Sequence, residues 1–189
     1  MRNVVFTQVS CDAEIDQILA LQSINHLSAV DAAVAAEQGF LTVRHDPLVL
    51  RKMNAAYPSV IAKEGDALAG YCLVMPPSFA DDLPVLAPMF ELLGKLEWKG
   101  RPIHEWRWFV MGQVCVAEAY RGQGVFDGLY DKLKECCAPD FDLVVTEIAV
   151  RNTRSLSAHE RVGFQPLHRY FDPENGEDWW VVALELGCP

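Results

Sequence analysis

Residues 114–130 read VCVAEAYRGQGVFDGLY, and this stretch limits the fold more than any other. An apolar run ends, a polar loop carries Arg121-Gly122-Gln123-Gly124, and an apolar-periodic segment follows with Val125, Phe126, Leu129, Tyr130 and Leu133. The spacing predicts a strand, a short loop and a helix running from about residue 123 to residue 137. A plain turn needs one glycine at most; two beside an arginine let bare backbone come close to a ligand. A helix start presents N–H groups without intrahelical partners, and its dipole adds partial positive charge, so an anion is the natural guest. The expectation is a phosphate or pyrophosphate cradle with Arg121 at its mouth.

The rest of the chain sets this unit in a mixed α/β pattern with a largely antiparallel sheet. NVVFTQV (3–9) reads as a first strand, and Asp12 as the cap of a helix carrying Ile15, Ile18, Leu19 and Leu21. Ser28 or Asp31 opens an alanine-rich helix ending near Gly39, and Asp46-Pro47 opens another. SVIAKEGDALAGYCLVM (59–75) has a hairpin pattern around Glu64-Gly65-Asp66. Residues 76–105 break the rhythm and read as an insertion between two strands. Their apolar surplus goes to the core by default, with a homodimer contact as the alternative. Strands follow at 106–116 and 142–150, a helix at 153–163 ending at Gly163, and two more strands at about 165–171 and 178–186 around Pro173-Glu174-Asn175-Gly176.

Length fits one domain spanning 1–189, and a hydrophobic share of 51% is enough to build its core. A formal net charge of −10 argues against nucleic acid and suits a cationic or neutral small substrate. None of the six cysteines falls in a C-x-x-C pair, and Cys136-Cys137 diverge on a helix, so the expectation is reduced thiols of a cytoplasmic protein. The apolar run Val4-Val5-Phe6 is too short for a signal peptide, and no 18-residue apolar run marks a membrane span. His104-Glu105 has Trp108 where a zinc motif needs its second histidine, so no metal is expected.

Three kinds of anion loop compete. A P-loop needs Lys-Ser or Lys-Thr after its glycines, which is missing. Gly122, Gly124 and Gly128 come one residue away from a dinucleotide fingerprint, which leaves a dinucleotide enzyme as a weaker alternative. The third option fits best. Arg121-Gly122-Gln123-Gly124-Val125 resembles the acetyl-CoA loop, [QR]-x-x-G-x-[GA], of the GCN5-related N-acetyltransferase (GNAT) superfamily. Val114-Cys115-Val116 stands at that family's apolar strand end, and Tyr120 precedes the arginine as is common there. EIAVRNTRSLSAHERVGF (147–164) resembles the family's second block, matched by Asn152, Gly163 and Phe164. The resemblance covers roughly residues 106–171. Phe126 departs from it, standing where Gly or Ala is usual; a backbone donor there survives if the ring turns away.

The resemblance implies the GNAT-type acyl-CoA N-acyltransferase fold, with a mainly antiparallel central sheet of about six to seven strands flanked by helices. It implies that strands 106–116 and 142–150 splay, and that the pantetheine arm of acetyl-CoA bonds backbone around Val114, Cys115 and Val116. Backbone at Arg121, Gly122, Gln123, Gly124, Val125 and Phe126 would hold the pyrophosphate, and Asn152 would bond the arm. In members that acetylate protein N-termini, a glutamate five residues before the asparagine is the base and a tyrosine seven after it is the acid. Glu147 and His159 occupy those positions. Glu147 interrupts the apolar strand VVTEIAV; it is either a tuned base or a solvent-facing residue paired with Arg151. His159 stands where the tyrosine is usual; its imidazole is either the acid, a substitute base or a solvated helix histidine. Among the tryptophans, Trp106 and Trp108 would share a strand face and Trp179 and Trp180 would oppose each other; one can wall an amine pocket. The implied reaction is direct attack of a primary amine, on a small molecule or a peptide, on the acetyl-CoA thioester. A non-catalytic acyl-CoA-binding module is the alternative.

Overall fold

The computed structural model describes residues 3–31, 39–173 and 176–187. Seven strands form one sheet in the order β1-β2-β3-β6-β7-β9-β8, and a two-stranded piece, β4-β5, stands apart. Of the strand pairs whose register is known, only β6–β7 is parallel. This is the mixed, mainly antiparallel sheet that the sequence implied. The chain divides into two compact units, Met1–Val74 with Met111–Cys136, and Met75–Val110 with Cys137–Pro189.

In the first unit, β1 (Val5–Gln8) pairs antiparallel with β2 (Val60–Glu64), and β2 with β3 (Ala67–Met75). The expected hairpin closes through Gly65-Asp66, where Gly65 takes φ +60°, a conformation that disfavours a side chain. Helix α1 (Asp12–Asn25) starts one residue earlier than expected: Cys11 is its N-cap and Asp12 its first residue. No side-chain hydrogen bond caps it; Glu14 Oε2 instead accepts from the N–H of Ser10, one residue before the cap, at 2.7 Å. Helix α2 (Pro47–Ala56) opens as expected, with Asp46 accepting from the N–H groups of Leu48 and Val49. The alanine-rich helix expected from residue 28 or 31 to residue 39 falls largely outside the described residues.

A buried polar network ties α1 to this half of the sheet. Gln22 Nε2 donates to His45 Nδ1 at 2.8 Å and to Gln113 Oε1 at 2.7 Å, and the Tyr71 hydroxyl donates to the same Gln113 oxygen at 2.5 Å. Gln113 lies on β6 (Trp108–Val116) and also donates to the Val43 carbonyl at 2.9 Å. All four side chains are buried, so each lost bond strands a group away from water. Gln113→Leu is expected to destabilise the protein by about 2–4 kcal/mol, read by urea unfolding; a loss below about 0.5 kcal/mol would show that the network relaxes around the change.

In the second unit, residues 77–82 and 84–86 form short 3-10 turns, and α3 (Ala87–Leu93) leads to β4 (Glu97–Trp98) and β5 (Arg101–Pro102). Leu83, Met89, Leu93 and Ile103 are buried, so much of the apolar surplus of 76–105 goes to the core. Strand β6 begins at Trp108, two residues later than the sequence suggested. Trp106 precedes it, with the Arg101 guanidinium 4.8 Å from its ring. β6 pairs with β7 (Leu143–Ala149) over three residues, Trp108 to Val110 against Leu143 to Val145. Helix α5 (Thr153–Val162) ends on Gly163 at φ +109°, and β8 (Gln165–Asp172) and β9 (Glu177–Glu185) complete the sheet. The middle of the expected turn, Glu174 and Asn175, lies outside the described residues.

Candidate active site

In the first unit the loop is held in place by its own side chains. After β6 a 3-10 turn at Glu118–Tyr120 brings the Tyr120 hydroxyl 3.0 Å from Glu64 Oε2. Arg121 does not extend from the loop's mouth as expected. Its Nε donates to the Val116 carbonyl at 3.2 Å and its Nη2 to Asn25 Oδ1 at 2.6 Å, which ties the loop to the strand end and to α1. Gln123 Nε2 donates back to the Ala119 carbonyl at 2.8 Å.

Helix α4 (Val125–Cys137) begins two residues later than expected. Its first ladder bond, Gly128 N–H to the Gly124 carbonyl, makes Gly124 the N-cap, so the amides of Val125 and Phe126 precede the intrahelical ladder. Gly122 and Gly124 take φ +71° and +78°, and a Cβ built on either meets nothing within 4 Å. The backbone is thus both bare and approachable. The Phe126 ring lies 5.0 Å from that of Tyr130, one turn along the helix, so the side chain at the departing position is turned along α4. These features fit a pyrophosphate held by backbone donors at 122–126. Gly128 has a packing role: its missing Cβ would sit 2.2 Å from the Phe6 ring of β1. Close packing accounts for the third glycine of the near-fingerprint.

Val114 and Val116 are half-buried and Cys115 is buried on the opposite face of β6. Burial pushes the Cys115 thiol up to about 12, so the thiolate needed for nucleophilic chemistry is scarce at neutral pH.

In the second unit the remaining expected residues lie on β7 and α5. Glu147 is half-buried in β7, and burial pushes its carboxyl up to about 7. The Tyr170 hydroxyl of β8 donates to Glu147 Oε1 at 2.8 Å and opposes the rise, while the negative charge of buried Asp172 adds to it. The antiparallel register sets these groups on one face: Glu147 is opposite Val181, Ala149 opposite Trp179, and Trp179 opposite Tyr170. Trp180 points to the other face, as expected of adjacent strand residues. Arg151 pairs with Glu177 at 2.5 Å, so the glutamate's ionic environment comes from Asp172.

Asn152 is the N-cap of α5, its side-chain oxygen accepting from the Ser155 N–H at 3.3 Å. His159 is 2% exposed, its ring edge-on to Phe164 at 5.1 Å. Its Nδ1–H donates to the Ser155 carbonyl at 2.7 Å, and burial pushes the ring down to about 4. Only about one ring in a thousand then carries a second proton at pH 7. The neutral tautomer directs its proton at its own helix, so the expected acid role of His159 does not fit its surroundings. The solvated alternative fails too, because the ring is buried. Tyr170, the hydrogen-bond partner of Glu147, was not among the residues expected at the site; the alternation of Tyr170 and Asp172 in HRYFD was visible, but not the strand they would face.

Among the described residues no group of three or more His, Cys, Asp or Glu is placed to hold a metal ion. Among the same residues, no helix is long and apolar enough to cross a membrane.

The family model for the acetyltransferase (GNAT) family matches residues 29–164. Solved structures share the fold at low identity. The ribosomal-protein-S18-alanine N-acetyltransferase from Escherichia coli aligns over 99% of this chain and 96% of its own, with 11% identity and a TM-score of 0.63. The yncA protein from Salmonella typhimurium, solved with its cofactor acetyl-CoA, aligns over 97% and 94%, with 15% identity and a TM-score of 0.61. The NatC complex bound to Gag peptide and CoA supplies a chain aligning over 98% and 99%, with 18% identity and a TM-score of 0.60. No curated protein sequence matches the chain significantly.

Proposed function

The chain belongs to the acetyltransferase (GNAT) family, whose members use acetyl-CoA, and from that premise we propose that it transfers an acetyl group to a primary amine. The observation that carries the proposal is Glu147, a half-buried carboxyl held near 7 at the position of the family's base. A base with that affinity is ionised often enough to act at neutral pH and still binds a proton firmly once it has taken one. The acceptor is a small-molecule or peptide amine, in keeping with an acidic chain of net charge −10 and with a fold neighbour solved with a peptide. The catalytic domain spans 1–189 with 76–105 as an insertion, and the protein works in the cytoplasm.

The residues divide the work. Backbone amides at Gly122, Gln123, Gly124, Val125 and Phe126 hold the pyrophosphate, and Arg121 keeps their loop fixed against Val116 and Asn25. Backbone at Val114, Cys115 and Val116, with the Asn152 amide, receives the arm. When bound, acetyl-CoA supplies an activated acetyl group and a thiolate leaving group. Glu147 is the base on which the proton lost by the attacking ammonium ends. Cys115 forms no acyl intermediate, because its thiol stays protonated. His159 is a packing residue, buried on α5 with its ring edge-on to Phe164.

One observation favours the alternative of an acyl-CoA-binding module: the residue at the acid position is a buried neutral imidazole. Turnover of acetyl-CoA against a panel of small and peptide amines separates the two. The enzyme reading expects N-acetyl product with at least one amine, at a rate well above the reaction without protein. Tight CoA binding with no product from any amine would establish the module instead.

A further inference from the structure

Glu147 is anchored mid-strand, and its Oε1 is engaged by the Tyr170 hydroxyl at 2.8 Å. We infer that Tyr170 is a catalytic proton relay: its phenol oxygen takes the proton of the attacking ammonium as its own proton passes to Glu147. The inference rests on the acetyltransferase reading given above.

The geometry meets what a relay needs. The Tyr170 hydroxyl already donates to the carboxylate at 2.8 Å, an ordinary O–H···O hydrogen-bond length, so the path for its proton is formed. A phenol oxygen that donates one hydrogen bond retains lone pairs able to accept another. Among the described residues, Glu147 is the only hydrogen-bond partner of that hydroxyl. Tyr170 is half-buried, so part of its surface stays accessible. The proton balance closes without a further reactant. One N–H bond breaks and one O–H bond forms at the phenol; the original phenol O–H breaks and an O–H forms on Glu147. Tyr170 ends neutral, the amine is free to attack, and Glu147 holds the proton. The phenol never becomes a free phenolate, which matters because burial and the nearby carboxylates push its own ionisation far above neutral pH.

The surroundings on the same face support a cationic donor. Asp172 lies two residues from Tyr170 along β8, and Trp179 lies directly opposite it on β9. The Trp179 indole N–H is buried without a hydrogen-bond partner. His168 occupies the next same-face position on β8, opposite Val181, which is itself opposite Glu147. The Arg151–Glu177 pair adds one charge of each sign near the end of β9.

The test uses the full chain and the best acceptor from the amine panel. Tyr170→Phe keeps the ring and removes the hydroxyl. The relay predicts a 10- to 100-fold fall in kcat, a KM for acetyl-CoA within about twofold of wild type, and an acidic limb of the pH–rate profile displaced upward by about one unit. The displacement follows because the lost hydrogen bond had favoured the charged carboxylate. In mixtures of light and heavy water, wild type should show a bowed proton inventory, two protons moving together, and the variant a linear one. A linear inventory in wild type, or a variant with undiminished kcat, overturns the relay while leaving the acetyltransferase reading intact. Absence of turnover with every amine overturns both. The wild-type inventory decides the matter even if the variant folds poorly.

Discussion

Glu147→Gln is expected to lower kcat by about 10²- to 10⁴-fold and to abolish the ionisation near pH 7 in the rate profile. In wild type, kcat/KM for a saturating acetyl-CoA concentration should rise with pH up to about 7 and then level, because the ionised carboxylate is the active form. The same substitution should stabilise the folded protein at alkaline pH. A carboxyl raised from its ordinary value of 4.5 to about 7 binds its proton more tightly in the folded state. Folding therefore loses stability as pH rises from the unfolded value through the folded one, and the loss persists above it. Glutamine removes that penalty, and its amide oxygen still accepts from Tyr170. The expected gain at pH 8.5, after allowance for the half-exposed setting, is about 1–3 kcal/mol by thermal or urea unfolding. At pH 4 the two proteins should be nearly equal. An inactive variant with unchanged stability at both pH values would mean that Glu147 is an ordinary carboxylate in solution; an active one would remove it from proton transfer.

Gly124→Glu is expected to weaken CoA binding by at least 100-fold while leaving the far-ultraviolet circular dichroism unchanged. Two effects combine. The residue takes φ +78°, which costs a side-chain-bearing residue about 1 kcal/mol. The new carboxylate enters the open space beside the backbone, where a pyrophosphate would meet its negative charge. No neighbouring atom lies within 4 Å of the added Cβ, so the fold itself has room for the change. Gly124→Ala provides the comparison: it shares the backbone cost without the charge and should lose less affinity. CoA binding by Gly124→Glu equal to that of wild type, by isothermal titration, would place the pyrophosphate elsewhere.

Local features carried much of the fold into the sequence. The β2–β3 hairpin was legible because Gly65-Asp66, after Glu64, supplies a two-residue turn between apolar runs, and the structure closes it there. The end of α5 was legible because Gly163 is a residue that accepts φ +109° at little cost. The loop glycines were legible for the same reason. What the sequence hid was direction and long-range register. Arg121 looked like a ligand for phosphate, but a long guanidinium selects among many acceptors, and here Val116 and Asn25 lie within reach. His159 sat at a familiar position, yet its burial depends on how Phe164 returns after Gly163. Tyr170 could not be linked to Glu147 without the order β7-β9-β8 and the register irregularity between Pro166 and His168. A one-residue change in that register would send Tyr170 to the other face.

The central claim is that the main-chain amides of residues 122–126 bind a pyrophosphate, and amide NMR of the ¹⁵N-labelled full chain tests it most directly. Titration with CoA should produce the largest shifts at Gly122, Gly124, Val125 and Phe126, and titration with pantetheine, which lacks the pyrophosphate, should leave those signals near their starting positions. Saturation by CoA with these amides unmoved would contradict the account.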